Sequence, residues 1–278
     1  MDYKLHKRLF VIGRRSNLSH RLSQQIENVE LIAADDLHLL PELLEQHDGA
    51  NLIYNLHYKS AWLGRRDMPE AYASYSFQRL AEFVAICRNS HRQIGKIIFT
   101  SSSAVYGDNA LAEESCRCDI TNLYASLKFA SEMFIHEHLA DTGIPLVIAR
   151  VFNMYGGRDE FSVISKIADA ISREVEFHVA NHGRPVRDFV HVLDVAEIYR
   201  RLLESTFTGV VNVGSGNGLS VGDVIKKAET AFQRRLKTVH IQRNEINHSV
   251  ASIDKLAEAI GPFDFISVDQ FYQKLAVA

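Results

Sequence analysis

Phe99-Thr100-Ser101-Ser102-Ser103-Ala104-Val105-Tyr106-Gly107 and, further along, Tyr124-Ala125-Ser126-Leu127-Lys128 decide how this chain is read. The first stretch reads as the end of a buried strand, residues 96–100, that runs into a cluster of hydroxyls. The second opens a long amphipathic helix. Tyr124 and Lys128, at i and i+4, stand one above the other on one helix face. An ammonium near a phenol favours the phenolate and lowers a pKa that is ordinarily about 10. A serine at the strand end can hydrogen-bond the same oxygen. Together these groups make a proton-transfer device for a carbinol or a carbonyl.

Working outward, strands and helices alternate. Residues 7–12 read as a strand, 18–26 as a helix, 29–33 as a strand, 39–47 as a helix and 51–56 as a strand. A long helix over 71–89 leads to the 96–100 strand. The Tyr124 helix runs to a C-cap at Gly143, and 146–150 is the next strand. This alternation predicts an α/β fold, a doubly wound parallel sheet with helices on both faces. Beyond Asn153 the pattern loosens, as expected of a smaller C-terminal lobe. Residues 161–173 read as a helix. Asp194 and Ser220 read as N-caps of helices over 195–204 and 221–232.

Bulk composition excludes several functional classes. The chain has 278 residues, 46% hydrophobic and 23% charged, with a net charge of -3. That size fits one large domain or one domain with a small lobe. The charge gives no electrostatic case for nucleic-acid or membrane binding, and no apolar run reaches membrane-spanning length. Met1 to Arg8 is charged and leads straight into a strand, so no signal peptide is expected. Cys87 falls on an apolar helix face, and Cys116-Arg117-Cys118 lacks metal-knuckle spacing. These features predict free thiols in a cytoplasmic protein with no metal site.

Ser…Tyr-x-x-x-Lys, preceded by Ile97-Ile98-Phe99 and joined by Val105-Tyr106-Gly107, resembles the short-chain dehydrogenase/reductase superfamily. Four more segments follow in the order of its extended, nucleotide-sugar branch, the epimerase/dehydratase family. They are Ala149-Arg150-Val151-Phe152-Asn153-Met154-Tyr155-Gly156, Arg187-Asp188-Phe189-Val190-His191-Val192-Leu193-Asp194-Val195-Ala196, Val211-Asn212-Val213-Gly214-Ser215-Gly216 and Ser252-Ile253-Asp254-Lys255-Leu256. The resemblance implies a Rossmann-type dinucleotide-binding domain over 1–152 with parts of 186–215, and a substrate-binding lobe over 153–185 and 216–278. It implies that Tyr124 takes or gives the hydroxyl proton, that Lys128 lowers its pKa and holds the nicotinamide ribose, and that Ser102 supplies the catalytic hydroxyl. It also implies a homodimer through the 71–89 and Tyr124 helices.

The cofactor half departs from the family. The pattern G-x-x-G-x-x-G reads Gly13-Arg14-Arg15-Ser16-Asn17-Leu18-Ser19, with serines in two glycine places. Positive φ at Ser16 would cost energy. Arg14 and Arg15 are cofactor candidates by charge, and Arg15 sits where some relatives meet a 2′-phosphate, which favours NADP over NAD. A solvated basic loop is the plain alternative. Ala34-Asp35-Asp36-Leu37 either ends the second strand and holds a ribose diol or, as favoured here, matches an Asp-Leu pair beside the adenine through Asp36 and Leu37. Asn55-Leu56-His57-Tyr58 stands for His-Leu-Ala-Ala, with Leu56 at the cofactor. Ser76 and Arg79-Leu80 replace an Asn and a Gly-Thr.

On the substrate side, Ser103 and Ala104 hold the places where dehydratases carry Asp-Glu, so a 4,6-dehydratase is disfavoured. Ser103, Asn153, Arg187 and Arg243 are the substrate candidates; Asn153 matches a sugar or phosphate contact and Arg187 a diphosphate clamp. The structural alternative for Arg187 is a salt bridge with Asp188 or Asp194. His191 and Asp194 read as structural, and Gly214-Ser215-Gly216-Asn217-Gly218 as a turn into a helix. The leading expectation is a 4-keto-sugar reductase acting on a nucleotide sugar. The alternatives are a nucleotide-sugar 4-epimerase and a non-catalytic binder with a degraded cofactor loop.

Overall fold

The computed structural model describes residues 7–13, 16–55 and 69–277, and all their side chains except those of 69 and 71–73. Arg14, Arg15, Leu56, His57 and Tyr58 lie outside the described residues. Two compact units divide the chain. The first takes the described residues up to Val105, then Ile120–Arg150 and Ala196–Val211; the second takes Tyr106–Asp119, Val151–Val195 and the residues from Asn212 on.

The first unit is built on short apolar runs. β1 (Leu9–Ile12), β2 (Val29–Ile32), β3 (Ala50–Tyr54) and β4 (Ile94–Ser102) pair in parallel with β1 between β2 and β3. With β6 (Leu146–Val151) and β10 (Gly209–Val213) they form a six-stranded parallel sheet in the order β10-β6-β4-β3-β1-β2. All four residues of β1 are 0% exposed. Continuous apolar strands of this kind need cover on both faces, and the crossover helices supply it. These helices are α1 (Asn17–Gln25), α2 (Leu40–Gln46), α3 (Pro69–Asn89) and α4 (Leu123–Leu139). Phe10, Leu52 and Ile97 of the strands join Leu40, Phe83 and Ile135 of the helices in one core. Each such side chain contributes about 2 kcal/mol by leaving water.

In the second unit, β5 (Asn109–Ala112), β7 (Asn153–Tyr155), β9 (Val186–His191), β11 (Gly218–Ser220) and β13 (His248–Ala251) make a mixed sheet. β8 (Phe177–Ala180) and β12 (Thr238–Ile241) pair separately. α5 (Val163–Arg173), α7 (Val221–Phe232) and α9 (Val268–Ala276) pack on Tyr155 and Phe189. Each starts on a serine: Ser162, Ser220 and Ser267 accept the backbone N–H of Ser165, Asp223 and Gln270. The remaining α-helices among the described residues are α6 (Val192–Glu204) and α8 (Asp254–Ile260).

Two sequence expectations are corrected here. Asp194 is not an N-cap. α6 begins at Val192, the His191 ring Nδ1 accepts the Leu193 N–H at 3.2 Å, and Asp194 instead accepts Ile266 N–H at 2.9 Å. α4 stops at Leu139, where Thr142 folds its hydroxyl back on the Leu139 carbonyl at 2.7 Å; Gly143, at φ +73, lies beyond this cap. Ala34–Leu39 is a 3-10 turn leading into α2, so of the two readings of Ala34-Asp35-Asp36-Leu37 the end of β2 falls away. Cys87 is fully buried, Cys116 and Cys118 are half-buried, and no metal-holding cluster occurs among the described residues. Among them, no helix is long and apolar enough to cross a membrane.

Candidate active site

β4 brings Thr100, Ser101 and Ser102 to the carboxyl end of a central strand, the end at which open parallel sheets bind ligands. The 3-10 turn Ser103–Tyr106 then leads the chain away. Asn122 starts α4 by accepting the Ala125 N–H at 2.9 Å, which sets Tyr124 in the first turn and Lys128 one turn later. Tyr124 and Ser102 share a side-chain hydrogen bond, and Ser102 Oγ accepts the Ala104 N–H at 3.2 Å. Lys128, 2% exposed, donates from Nζ to the Thr100 carbonyl at 2.8 Å and lies 5.7 Å from the Phe99 ring centre. The strand end and the helix turn thus gather Ser102, Tyr124 and Lys128 within the first unit.

The electrostatics differ from the sequence expectation. Burial raises the Tyr124 phenol above its ordinary value, and the Ser102 hydrogen bond opposes that only in part. Burial also lowers Lys128 to about 8, with Glu132 pulling the other way. A desolvated ammonium anchored on a carbonyl does not generate a phenolate here; Tyr124 stays protonated at neutral pH. Sequence reasoning overlooked the group behind Lys128. Glu132, 3% exposed, receives the Arg150 guanidinium at 2.8 and 3.2 Å and the Ser101 hydroxyl. Its signal was legible, since Glu132 continues the 124–128 face by one more turn.

At the β1–α1 turn Gly13 takes φ +113, a conformation open to glycine. Ser16 does not: it is extended, at φ -76 and ψ 153, so the expected strain is absent. It serves as N-cap, accepting Ser19 N–H at 2.9 Å. Asn55, at the end of β3, donates to Ser16 Oγ at 2.6 Å and Ser19 Oγ at 3.0 Å, while its own buried Oδ1 has no hydrogen-bond partner. A glycine turn, a helix N-terminus and an orphaned amide oxygen meet at one place, and these features fit a dinucleotide there. Asp36 is half-buried, with its N–H on the Ala33 carbonyl at 3.0 Å. Leu37 is sealed in the core at 0% exposure, so only its backbone can meet a ligand. Ser76 is buried, and Arg79 pairs with Glu82 at 2.6 Å and Asp35 at 3.4 Å.

Three of the substrate candidates lie in the second unit; Ser103, 8% exposed, is in the first. Asn153 Nδ2 donates to the Asp188 carbonyl at 3.0 Å. Arg187 pairs with neither Asp188 nor Asp194. Its guanidinium meets Glu245 at 3.1 Å and the carbonyls of Ile246 at 2.7 Å and Asn247 at 3.3 Å. Arg243 is exposed, and its backbone is held by Asn181. Asp188 is a hub: its carboxylate accepts Ser215 N–H at 2.8 Å, Ser215 hydroxyl at 2.6 Å, Gly216 N–H at 2.9 Å and Ala251 N–H at 3.2 Å. The Gly214–Gly218 loop is therefore a nest for this carboxylate.

Known proteins resemble this chain in sequence and in fold. A UDP-glucose 4-epimerase of Bifidobacterium longum subsp. longum is 32% identical over 163 residues, 49% of this chain and 47% of that protein. The chain spans about half to two thirds of the length of the first curated relatives it matches. Among solved structures, a UDP-glucose 4-epimerase of Thermotoga maritima with UDP-glucose superposes with a TM-score of 0.85 at 17% identity, over 97% of each chain. RMD from Pseudomonas aeruginosa complexed with NADPH superposes with a TM-score of 0.82 at 25% identity, over 98% of each chain. The family model for the NAD dependent epimerase/dehydratase family matches residues 3–214, from the glycine turn through β4, α4 and β9, and to that family this chain belongs.

Proposed function

We propose that this protein is a nicotinamide-dependent oxidoreductase acting at C4 of a nucleotide-activated sugar, in the direction of a 4-keto-sugar reductase. The observation that carries the reading is the Tyr124–Ser102 hydrogen bond beside the buried Lys128. A bound nicotinamide would supply the hydride. Tyr124, held protonated by burial, is suited to deliver a proton to the sugar oxygen, as a general acid must. Ser102 orients that oxygen. Lys128, fixed on the Thr100 carbonyl, offers a cation to the ribose of the cofactor. Gly13, Ser16 and the α1 N-terminus would receive the pyrophosphate. NADP remains the favoured form, on the sequence of the Arg14-Arg15 pair. In the second unit, Asn153, Arg187 and Arg243 would hold the nucleotide and its sugar, making that unit the substrate lobe. Exposed Leu123 and Met133 on α4, 51% and 54% exposed, support pairing of two copies, which sedimentation mass tests directly; a monomer at micromolar concentration removes that part.

A second reading, a 4-epimerase, is favoured by the Bifidobacterium relative. One experiment separates them. Wild type and Tyr124→Phe are incubated with NADPH or NADH and a nucleotide-linked 4-keto sugar, and reduced nicotinamide is followed by absorbance. The same proteins are given UDP-glucose, and UDP-galactose is sought by chromatography. Consumption of reduced cofactor by wild type alone supports the reductase. Interconversion without added cofactor replaces it with the epimerase. Neither activity overturns both and leaves a non-catalytic binder.

A further inference from the structure

Next along the α4 face from Tyr124 and Lys128 comes a buried acid that the proton transfer does not use. Glu132 is 3% exposed and Lys128 2%. They stand at i and i+4, so they are neighbours on the face that also carries Tyr124. The Glu132 carboxylate accepts the Ser101 hydroxyl from β4 and the Arg150 guanidinium from β6. Ser101 lies between Thr100, whose carbonyl holds the Lys128 ammonium at 2.8 Å, and Ser102, which bonds Tyr124. Glu132 therefore grips β4 at the point where both of those contacts are made. Among the described residues, the titratable and charged groups that face Lys128, directly or through one partner, are Tyr124 and Glu132 on α4, Arg150 on β6 and, through the Thr100 hydroxyl, Tyr199 on α6.

Two cations and one anion are thus sealed in one place, and burial keeps both tyrosines neutral. A buried ammonium sheds its proton unless a counter-charge holds it. Burial already brings Lys128 down to about 8, and Glu132 opposes that fall. Without the Glu132 charge two buried cations would repel each other, and an uncharged amine is a weaker donor to a ribose hydroxyl. We propose that Glu132 is a positioning residue for Lys128, fixing the strand end through Ser101 and supplying the counter-charge that keeps the ammonium cationic for the cofactor ribose. This rests on the nicotinamide reading above and deepens it.

The test is a calorimetric titration with NADH over a pH series, comparing wild type, Glu132→Gln and Glu132→Asp. NADH itself carries no group that titrates in the range of Lys128. Wild-type affinity is expected to fall as pH rises through about 8, where Lys128 loses its proton. Glu132→Gln keeps the size and a hydrogen-bonding oxygen but not the charge, so its fall should come about one pH unit lower. Glu132→Asp keeps the charge but spoils the fit, so its midpoint should stay near that of wild type. A merely structural role gives the reverse order, because the shorter side chain is then the more damaging. If Glu132→Gln does not fold, the double variant with Arg150→Met strands no charge, and the same lowered midpoint is expected of it. NMR of the Lys128 Cε signal, without cofactor, reads the midpoint in the same proteins. A midpoint unmoved in the folded variant that lacks the charge overturns the role of Glu132 and leaves the nicotinamide reading standing. A lowered NMR midpoint in a chain that binds no NADH at any pH overturns the nicotinamide reading instead, and leaves Glu132 the counter-charge of Lys128.

Discussion

Replacing Arg150 by Met should cost about 3 kcal/mol of stability, and the figure follows from what Glu132 would lose. The pair is sealed in the first unit, with side-chain exposures of 6% and 4%. Three nitrogen–oxygen contacts at 2.8–3.2 Å hold it together. Removing one partner of a buried pair typically costs about 3–5 kcal/mol, because the other charge stays desolvated. Glu132 keeps the Ser101 hydroxyl and the neighbouring Lys128 field, which sets the loss at the lower end. At roughly 2–4 °C per kcal/mol, Tm should fall by about 6–12 °C. Adding Glu132→Gln removes the stranded charge, so the double variant should recover at least half of the loss. The assay is thermal unfolding by circular dichroism at constant pH and salt. A Tm within about 2 °C of wild type for Arg150→Met, or a double variant no better than the single, would refute this account of the pair.

Lys128→Met should stabilise the fold by about 2 kcal/mol near neutral pH while removing turnover, since it replaces a desolvated cation by an apolar chain. The sign is set by linkage. The folded lysine titrates at about 8 and the unfolded one at 10.5, so the unfolded chain binds the extra proton between those values and wild-type stability rises with pH across that window. A Tm series across that window should show the rise in wild type and a flatter profile in Lys128→Met; a less stable variant contradicts it. Gly156→Ala should cost roughly 2 kcal/mol or more, because Gly156 sits at φ +86 and an added Cβ would strike the His191 ring; chemical denaturation measures it, and a neutral result rejects the packing described. Lys96→Met should loosen the end of α6, because the Lys96 ammonium is received by the Leu202 carbonyl of α6 and by those of Ser205 and Phe207 just beyond it. A loss of about 2 kcal/mol, with faster amide exchange in the last turn of α6, is expected; unchanged exchange would count against the cap.

The parts of the site that were legible are those written locally. The hydroxyl run at a strand end and the Tyr-x-x-x-Lys spacing are short-range patterns, and β4 and α4 carry them where expected. The Glu132–Arg150 pair joins a helix to a strand, and an acid and a base in apolar surroundings read in sequence as separate surface charges. Ser16 was read through the glycine it replaces. A serine keeps the same turn by going extended and capping, which no pattern of glycines announces. Asp194 looked like a cap because it precedes an apolar helical run, but Val192, fully buried, extends that run upstream and the His191 ring takes over the cap. The Tyr124 pKa was misjudged because proximity to Lys128 is visible in spacing while desolvation is not.

Asp188 bears on how the chain comes to be made. Its four donors arrive from Ser215 and Gly216, 27 and 28 positions later, and from Ala251, 63 positions later. During synthesis this carboxylate leaves the ribosome long before its last partner. At about 5–20 residues per second, several seconds pass in which β9 carries an acid it cannot yet bury. The second unit is therefore obliged to fold late and as a whole, with β13 as its closing strand. Nascent chains arrested short of Ala251 should remain open to protease in that unit, while the first unit, complete at Val211, has already closed.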